Sequence, residues 1–359
     1  MRAIAVIPKK KDSAHLVNTN VPEITDAEVL VKGIRVGVDG TDSEINEGLY
    51  GEAPQNENFL IIGHESFGVV EEVGKEIRDF RKGDYVVVTV RRPCGICIPC
   101  ATGESDMCLT GKYRERGIQG WHGFMAEYYK DVPDFLVKVP AEYRNVGVLL
   151  EPLSIVEKAL CQIFEIQNRL KWEPQKALVL GAGSIGLLAT MLLRERGMTT
   201  YTVARSPKGC LKSNLAESCG STYVNIHETP LLGLKRDIGN IDIIIEATGS
   251  SKVVFEAMQI LGTNGVLCLT SITGGENRLE IPAAKINLDF VLGNKLVFGT
   301  VNANRKYFEM GLTHFRKFQQ AWPGLVEKMI TRRCAFEDFK EGLDRRREDV
   351  KTVIEMDMK

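Results

Sequence analysis

The sequence has 359 residues, of which 44% are hydrophobic and 26% are charged, and its formal net charge is −1 at pH 7. This length and composition predict a globular protein with two domains. The balanced charge argues against a surface that binds nucleic acid or a membrane, and no uncharged run approaches the ~20 residues of a membrane span.

The N-terminus, MRAIAVIPKKKDS, places a short apolar run before three lysines, which is the reverse of the order in a secretory signal. The chain has nine cysteines, an odd number, and four of them lie between positions 94 and 108. In a chain without a secretory signal, this favours a metal site and buried thiols over a disulfide framework. We therefore expect a cytoplasmic protein.

The first 150 residues are dominated by β-branched segments that end at Gly, Pro, Asp or Asn. These segments are AIAVI, EVLVKGIRVGV, FGVVEEV and DYVVVTV. Frequent turn signals such as RKGD favour a small barrel or sandwich over strands that alternate with helices.

From position 153 to 165 the apolar residues recur at helical spacing, and from 176 strands and helices alternate. KALVLGAG, TTYTVA, IDIIIEATG and GVLCLTS are typical of buried strands, and KLVFGTV at 295–301 is expected to be the last one. The intervening SIGLLATMLLRERG and KVVFEAMQIL are expected to be helices. This alternation predicts a parallel, doubly wound sheet, followed by a final helix and closing strand.

The segment GAGSIG predicts a dinucleotide site, because it follows an apolar strand and opens a helix. Gly181 would allow the tight turn, Gly183 the approach of a pyrophosphate, and Gly186 close helix packing. Ser184 and Ile185 begin the helix whose N-terminus would face the phosphates. Thr248, after a later strand, is a further expected cofactor contact.

The end of the second strand bears on the choice of nicotinamide cofactor. NAD-selective folds usually carry an acidic residue there, whereas this chain has Ala204, Arg205 and Ser206. A guanidinium can pair with the 2′-phosphate of NADP. We expect NADP as the preferred cofactor, with NAD as a possible second. The alternative is that Arg205 is only a solvated loop residue.

Four cysteines have the spacing of a closed zinc site. Cys94, Cys97, Cys100 and Cys108 can surround one zinc ion tetrahedrally and leave no open position, which is typical of a structural site. The surrounding segment has few apolar residues to bury, so the metal would supply its order.

A second, catalytic metal site would need an open position. Its candidate ligands are Asp39, His64, Glu65 and Glu151. GHE by itself proves little, but Glu151 lies between an apolar pair and a proline, where a carboxylate is costly unless it is paired or bound to metal. Asp39 precedes a glycine, so by itself it is better explained as a turn residue, but beside the other candidates a metal role is favoured.

Together, these motifs resemble the zinc-dependent medium-chain dehydrogenase/reductase superfamily over nearly the whole chain. GVDGTD, GHESFGVV, VRRPCGICIPC, GIQGWHGFMAEYY, LLEPLSIVEKAL and FGTVNANRKYF are similar to segments of its archaeal-type glucose dehydrogenases. The resemblance implies a GroES-like catalytic barrel domain at 1–153, completed by 301–359, and a Rossmann domain at 154–300. It also implies oxidation of the C1 hydroxyl of glucose or a similar aldose to the lactone, by homodimers or homotetramers.

The resemblance also implies roles for single residues. His64 matches the metal-binding histidine, Glu65 a ligand or an outer-sphere group, and Glu151 a direct or water-mediated ligand. Thr41 matches the hydroxyl residue that contacts the reacting alcohol, and Asp42 an acid that orients His64. Glu115 matches a sugar ligand, and Val301 and Asn302 match cofactor contacts, with Asn302 near the substrate as well.

Two positions depart from the family pattern. Most of the superfamily has cysteine where this chain has Asp39, although some glucose dehydrogenases also carry aspartate. Tyr307 stands where several glucose dehydrogenases have a histidine that contacts the sugar. The identity of the aldose is therefore open.

The alternatives are another sugar or polyol dehydrogenase on the same scaffold, a zinc-free NADPH-dependent enone or quinone reductase, and a non-catalytic NADP-binding protein. The zinc-free reductases commonly lack such a ligand set, so His64, Glu65 and Glu151 argue against that class.

Overall fold

The computed structural model describes residues 1–273 and 278–356. Residues 274–277 and 357–359, which fall within the expected segments 154–300 and 301–359, lie outside these ranges. The chain divides into two compact units. One comprises Met1–Ser154, Asn302–Thr313 and the described part of Ile330–Lys359, and the other comprises the described part of Ile155–Val301 together with His314–Met329.

The strands, in chain order, are β1 (Arg2–Val6), β2 (His15–Asn18), β3 (Val29–Val38), β4 (Leu60–Ile61), β5 (Glu65–Val73), β6 (Tyr85–Val88), β7 (Arg91–Arg92), β8 (Arg114–Arg116), β9 (Gly120–Trp121), β10 (Tyr128–Asp131), β11 (Leu136–Lys138), β12 (Lys176–Leu180), β13 (Thr199–Ala204), β14 (Thr222–Asn225), β15 (Ile243–Glu246), β16 (Val266–Leu269), β17 (Leu296–Gly299), β18 (Ile330–Ala335) and β19 (Lys351–Glu355).

The α-helices are α1 (Gly40–Asn46), α2 (Ile98–Ala101), α3 (Leu150–Gln167), α4 (Ser184–Glu195), α5 (Leu211–Ser218), α6 (Leu231–Ile238), α7 (Ser251–Ile260), α8 (Ala283–Leu292), α9 (Arg305–Ala321) and α10 (Phe339–Leu343). Short 3₁₀ turns occur at Ser105–Met107, Pro133–Phe135, Ala141–Tyr143, Gly147–Leu149, Glu327–Met329 and Phe336–Asp338.

The first unit is built on an extensively hydrogen-bonded sheet whose strand order is β11-β6-β5-β3-β19-β18, with β10 also paired to β3. Smaller sheets are formed by β2-β1-β4 and by β7-β8-β9. The long strand β3 organises the unit because it pairs antiparallel with β5, β10 and β19. Its apolar faces pack into a core with side chains from both ends of the chain, including Ile4, Val36, Phe336 and Ile354.

The second unit contains a parallel sheet in the order β14-β13-β12-β15-β16-β17. Successive strands are added on one side of β12 as far as β14 and then on its other side from β15 to β17, as in doubly wound nucleotide-binding sheets. The prediction of a parallel, doubly wound sheet is therefore confirmed, and β17 is its last strand. Its core contains Leu178, Leu180, Ile244 and Leu267. The strands that carry these residues are apolar along their length, which is typical of a parallel sheet covered on both faces.

Among the described helices, α1, α2, α5, α6, α8 and α9 were not predicted from the sequence. Helix α1 begins at Gly40, within the segment that resembled an Asp-Gly turn, and α9 spans Arg305–Ala321. None of the helices among the described residues is long and apolar enough to cross a membrane.

Candidate active site

Asp39 lies at the junction of β3 and α1, where it is the N-cap of the helix. Its backbone is extended, and its Oδ1 accepts hydrogen bonds from the backbone N–H groups of Thr41 at 2.8 Å and Asp42 at 3.4 Å. The Asp42 carboxylate accepts in return from the N–H of Asp39 at 3.2 Å, which completes a capping box. Helix capping uses Oδ1 of Asp39, so Oδ2 faces a different set of groups.

His64 follows Gly63, whose φ of +90° lies in the left-handed region that favours glycine. A side chain at Gly63 would also clash, because an added Cβ would lie 2.5 Å from Met125 Cγ. The N–H of Gly63 donates to Asp42 Oδ1 at 3.1 Å. Asp42 is completely buried and thus ties the start of α1 to the loop that carries His64.

The imidazole of His64 lies between two carboxylates. Its Nε2 is 3.6 Å from Asp39 Oδ2, and its Nδ1 is 3.8 Å from Asp42 Oδ1. Thr41 lies beside this pair, and its hydroxyl donates to Asp39 Oδ2 at 3.3 Å. Of the groups predicted for the catalytic site, these four are brought together by the junction of β3, α1 and β5.

The electrostatics of this group match a cation site. Burial alone would lower the pKa of His64, but Asp39 and Asp42 raise it well above its usual value. Burial alone would raise the pKa of Asp39, yet the charges of His64 and Lys351 hold it well below its usual range. The carboxylates of Asp39 and Asp42 therefore favour positive charge beside them, which a divalent metal ion would supply.

Glu65 begins β5 next to His64 and is 1% exposed. One ligand atom from each of Asp39, His64 and Glu65 lies within 4.8 Å of the others. Lys351, which is 2% exposed, donates to both Glu65 carboxylate oxygens, at 2.6 and 2.7 Å. Burial raises the pKa of Glu65 in spite of the attraction of this lysine. The sequence did not identify Lys351, because a lysine at the start of a strand is ordinarily solvent-exposed.

Glu151 lies in the first turn of α3 and is buried. Burial raises the pKa of Glu151 to about 8, and its charge interacts with those of His64, Glu65 and Asp39. It is outside the set whose ligand atoms lie within 4.8 Å of one another. The position is compatible with the water-mediated contact that the resemblance implies.

The donor set of this site fits a metal ion that favours nitrogen and oxygen ligands. One imidazole and two carboxylates converge, and Nε2 of His64 faces Asp39 Oδ2 at 3.6 Å, which is beyond hydrogen-bonding distance. Replacing the family's cysteine by Asp39 keeps the ligand charge at −1 but makes the donor harder, so the site should be less selective for zinc.

The four cysteines of segment 94–108, here called the cysteine lobe, also converge. Their sulfur atoms all lie within 4.8 Å of one another, with 3.5 Å between Cys94 and Cys97 and 3.9 Å between Cys97 and Cys108. Hydrogen bonding to Thr110 lowers the pKa of Cys94 to about 5, which favours the thiolate form that binds metal. This cluster fits a closed, tetrahedral zinc site.

Glu115, which is predicted to bind the sugar hydroxyls, is hydrogen-bonded to two other side chains. Its Oε1 accepts from Arg91 Nε at 3.0 Å and from Asn302 Nδ2 at 3.0 Å. Asn302 has a φ of +60°, a left-handed conformation that asparagine tolerates better than most residues. Tyr307 is buried near the start of α9, where Lys306 Nζ lies 5.4 Å from its ring centre.

In the second unit, GAGSIG forms the turn between β12 and α4. Gly181 has a φ of +109°, and an added Cβ at Gly186 would lie 2.0 Å from the carbonyl oxygen of Gly181. At Gly183 an added Cβ would meet no atom of the described chain within 4 Å. Ser184 and Ile185 form the first turn of α4. Gly186 is thus required by packing, whereas at Gly183 only a ligand would require the missing side chain.

The other predicted cofactor residues lie at strand ends of the same sheet. Arg205 and Ser206 follow β13 directly, and the carbonyl oxygen of Ser206 accepts from the hydroxyl of Tyr223 at 2.8 Å. The carbonyl oxygen of Val301 accepts from Lys158 Nζ at 3.0 Å.

Sequence reasoning missed Glu246, which is completely buried at the end of β15. Its carboxylate accepts from the Thr248 N–H at 2.7 Å and from the Ser271 hydroxyl at 2.6 Å. It therefore positions the loop that carries the predicted cofactor residue Thr248. The signal was an acidic residue at the end of an otherwise apolar strand, IDIIIE.

Two family models match the chain. Residues 25–141 match the alcohol dehydrogenase GroES-like domain, and residues 144–356 match the glucose dehydrogenase C-terminus. A curated relative, glucose 1-dehydrogenase of Methanocella arvoryzae, is 48% identical over 357 residues and is covered to 99% in both chains. Glucose 1-dehydrogenase of Thermoproteus tenax is 38% identical over 358 residues, again covering 99% of both chains.

Among solved structures, Haloferax mediterranei glucose dehydrogenase in complex with NADP, Zn and gluconolactone is similar. It has a TM-score of 0.91, 34% identity and complete coverage of both chains. Galactitol-1-phosphate dehydrogenase of Escherichia coli, with a TM-score of 0.81 over 99% of both chains but 22% identity, shows the fold alone. The fold class is therefore the predicted one, a GroES-like domain with a Rossmann domain, as in medium-chain dehydrogenases. The chain belongs to the glucose 1-dehydrogenase family of the zinc-dependent medium-chain dehydrogenase/reductase superfamily.

Proposed function

We propose that this chain is a zinc-dependent, NAD(P)-dependent dehydrogenase that oxidises the C1 hydroxyl of D-glucose or a similar aldose to the lactone. The observation that carries the proposal is the convergence of Asp39, His64 and Glu65 within 4.8 Å, beside the Thr41 hydroxyl. The names of the relatives support glucose as the substrate, and the Haloferax mediterranei complex supports zinc, NADP and a lactone product.

Asp39 and His64 are the proposed direct ligands, with Glu65 and Glu151 as further carboxylates of the site. Bound there, zinc would act as a Lewis acid on the C1 hydroxyl, and NADP would accept the hydride. Thr41 would relay the hydroxyl proton, because its Oγ1 would accept that proton while its own proton passes through the cofactor ribose to water. In the structure this hydroxyl donates to Asp39 Oδ2 at 3.3 Å. Asp42 would hold His64 in orientation through the Gly63 loop.

Substrate recognition is assigned to Glu115, Asn302 and Tyr307. Glu115 and Asn302 are already joined by a hydrogen bond of 3.0 Å, so they would present a prearranged acceptor and donor pair to sugar hydroxyls. A substrate that lacks those hydroxyls would leave buried polar groups unpaired, which gives strong discrimination.

The remaining cofactor contacts proposed are the glycines of GAGSIG with Ser184 and Ile185, then Arg205, Ser206, Thr248, Val301 and Asn302. NADP is the proposed preferred cofactor, because Arg205 is exposed at the end of β13 where NAD-selective folds carry an acid. Arg205→Ala should weaken NADP binding by about tenfold and leave NAD binding nearly unchanged. Arg236→Ala, which removes an exposed arginine from the same unit, is the matched control. Equal loss of affinity for the two cofactors would contradict the 2′-phosphate role.

We assign residues 1–153 and 301–359 to the catalytic domain, and 154–300 to the cofactor domain. We also propose a homodimer or homotetramer with contacts at the β17 edge of the parallel sheet. Val297 on that strand and Leu288, Val291 and Leu292 on α8 are exposed apolar residues. An edge strand beside an apolar patch is a favourable place for a second copy to pair. The cytoplasmic location stays a prediction from the cysteine usage.

Val291→Glu should lower the mass that light scattering measures after size-exclusion chromatography. Leu232→Glu, which alters an exposed leucine on α6, should not change it. An unchanged mass for Val291→Glu would argue against this interface.

The overall proposal is tested with a panel of aldoses and polyols. Their oxidation is measured as the reduction of NADP or of NAD, before and after chelation. We expect glucose or a close epimer to give the highest kcat/KM, and activity to fall on chelation. Turnover of polyols alone would indicate the polyol dehydrogenase alternative. Activity on enones without metal would indicate the reductase.

A further inference from the structure

Glu115, the proposed sugar ligand, is held through only one of its two carboxylate oxygens. Its Oε1 accepts from Arg91 Nε at 3.0 Å, from Arg91 Nη2 at 2.9 Å and from Asn302 Nδ2 at 3.0 Å. No hydrogen bond from any described residue reaches its Oε2. Both partners of the ion pair are buried, with 6% of the Arg91 side chain and 10% of the Glu115 side chain exposed. Three donors thus fix one oxygen, and the other oxygen is left to accept from a sugar hydroxyl.

The position of Arg91 follows from strand pairing. Arg91 on β7 is the register partner of Glu115 on antiparallel β8, so the two side chains leave the sheet on the same face. The ring of Tyr113 covers the guanidinium, with 3.8 Å between the ring centre and Arg91 Cζ. Stacking of this kind favours one orientation of the guanidinium plane. Arg91 is therefore a fixed counter-charge for Glu115.

The other edge of the same guanidinium is bound to the cysteine lobe. Arg91 Nη1 donates to the carbonyl oxygen of Asp106 at 3.1 Å, and the Ser105 hydroxyl donates to the carbonyl oxygen of Arg91 at 3.4 Å. Ser105–Met107 is a 3₁₀ turn that leads directly into Cys108, one of the four clustered cysteines. A zinc ion bound by Cys108 would hold this turn in place, and the turn holds Arg91.

A second connection runs from the same 3₁₀ turn to the sugar site. Asn304 Nδ2 donates to Asp106 Oδ1 at 2.9 Å, while Asn304 Oδ1 accepts from the N–H of Lys306 in the first turn of α9 at 3.1 Å. Asn302, two positions before Asn304, donates to Glu115. Two of the residues assigned to the sugar are therefore joined by short paths to one turn of the cysteine lobe.

We propose that Arg91 is a positioning residue through which the metal-loaded cysteine lobe sets the affinity of the site for the sugar. The lobe fixes Arg91 through the Asp106 carbonyl, and Arg91 fixes Glu115 so that Oε2 is presented to a sugar hydroxyl. An arginine is required because its guanidinium donates along two edges, whereas one lysine ammonium cannot span both partners. The inference rests on the proposed role of Glu115 in sugar binding.

The test uses the whole zinc-loaded protein and measures D-glucose binding by calorimetry without cofactor, together with KM and kcat with NADP. Arg91→Met should weaken glucose binding and raise KM by about tenfold while kcat changes by less than about twofold, because Glu115 loses its fixed geometry. Arg91→Lys restores the charge but not the bond to Asp106, and should show about a threefold loss. Arg81→Met, which removes an exposed arginine from the same unit, is the control and should change neither quantity.

A double substitution separates positioning from a general loss of structure. In the Glu115→Gln background, Arg91→Met should raise KM by less than about twofold, because both changes remove the same interaction. Fully additive effects would show that Arg91 acts elsewhere and would overturn the proposal. Unchanged KM and glucose affinity in folded Arg91→Met would overturn it as well.

Cys108→Ser tests the connection to the lobe. Once metal analysis shows that the lobe zinc is lost, glucose binding should weaken by about tenfold, and adding Arg91→Met should weaken it little further. Unchanged glucose affinity in a protein without lobe zinc would refute the coupling.

Asn304→Asp keeps the coupling testable if Cys108→Ser does not fold. This variant retains an oxygen for the N–H of Lys306 but loses the donor to Asp106, so it should weaken glucose binding by about threefold without loss of the helix cap. Unchanged affinity in this variant would refute the second connection. If the original protein oxidised no aldose, the proposed function itself would fail, and the inference with it. Normal glucose turnover with an unchanged KM in Arg91→Met would refute the inference alone.

Discussion

The two carboxylate oxygens of Asp39 have different neighbours, and one of them lies 3.6 Å from Nε2 of His64. The other oxygen caps helix α1 by accepting from the Thr41 N–H at 2.8 Å. The choice between a turn residue and a metal-site residue is therefore not exclusive. A carboxylate can do both because it has two oxygens, whereas a single thiolate would offer only one sulfur.

This division of labour predicts different results for two substitutions of Asp39. Asp39→Asn keeps a capping oxygen but loses the charge, whereas Asp39→Ala loses both. Asp39→Ala should cost about 1 kcal/mol more unfolding free energy than Asp39→Asn, measured by urea denaturation of the metal-free protein.

Both variants should lower metal occupancy at this site while the cysteine lobe keeps its zinc, as metal analysis would measure. Full occupancy and unchanged turnover in Asp39→Ala would return Asp39 to a purely capping role.

The two metal sites should differ in their response to chelation. The oxygen and nitrogen site should lose its metal first, and Mn²⁺ or Co²⁺ should restore activity, since its ligands are harder than thiolates. The lobe at 94–108 should retain zinc under the same treatment because four thiolates enclose it. Metal content and activity are measured together during chelation. Simultaneous loss of both metals would contradict this distinction.

Two glycines of the same motif should fail for different reasons. Gly186→Ala should destabilise the cofactor-free protein by about 1–3 kcal/mol, because the added methyl lies 2.0 Å from a backbone oxygen. Gly183→Ala should leave its thermal stability nearly unchanged but weaken NADP binding by about tenfold, since the methyl occupies the pyrophosphate approach. Calorimetry of the free protein and fluorescence titration of NADPH would separate the two. Unaltered NADP affinity in Gly183→Ala would argue against that role.

A buried ion cluster predicts part of the acid sensitivity. Asp131 is paired with Arg92 and with Arg116, the latter at 2.6 Å. Burial alone would raise the pKa of Asp131, but these arginines lower it below its usual value of 3.8. Its contribution to stability is therefore present above about pH 4 and lost as the pH falls through the lower, folded-state pKa.

Asp131→Asn should reduce the unfolding free energy by about 3–5 kcal/mol at neutral pH, because two buried guanidinium groups lose their counter-charge. The difference from the original protein should shrink in denaturation curves measured at acidic pH. Glu71→Gln, which breaks the exposed pair with Lys82, is the control and should change stability by less than about 1 kcal/mol. A difference that stays constant between neutral and acidic pH would contradict the pKa assignment.

Much of the second unit could be predicted from the sequence, because its signals are local. The strands β12, β13, β15, β16 and β17 and the helices α4 and α7 follow apolar periodicity, and the glycines of GAGSIG mark a turn with specific backbone needs, whereas β14, α5, α6 and α8 were not predicted. Helix α1 was missed because its seven residues are too few to show a helical period. Its capping box could have been found, since Asp39 precedes Asp42 by three positions.

The sequence by itself determined the parallel, doubly wound sheet, the clustering of the four cysteines, and the candidate status of Asp39, His64, Glu65 and Glu151, while the GroES-like domain was implied by the family resemblance. Spacing and strand or helix periodicity are properties of short segments, so they can be seen without the fold. Only the tertiary structure brought Lys351 to Glu65 across 286 positions of the chain and set Gly37 against the same carboxylate. Those relationships depend on the pairing of β3 with both β5 and β19, which the composition of a single strand does not encode.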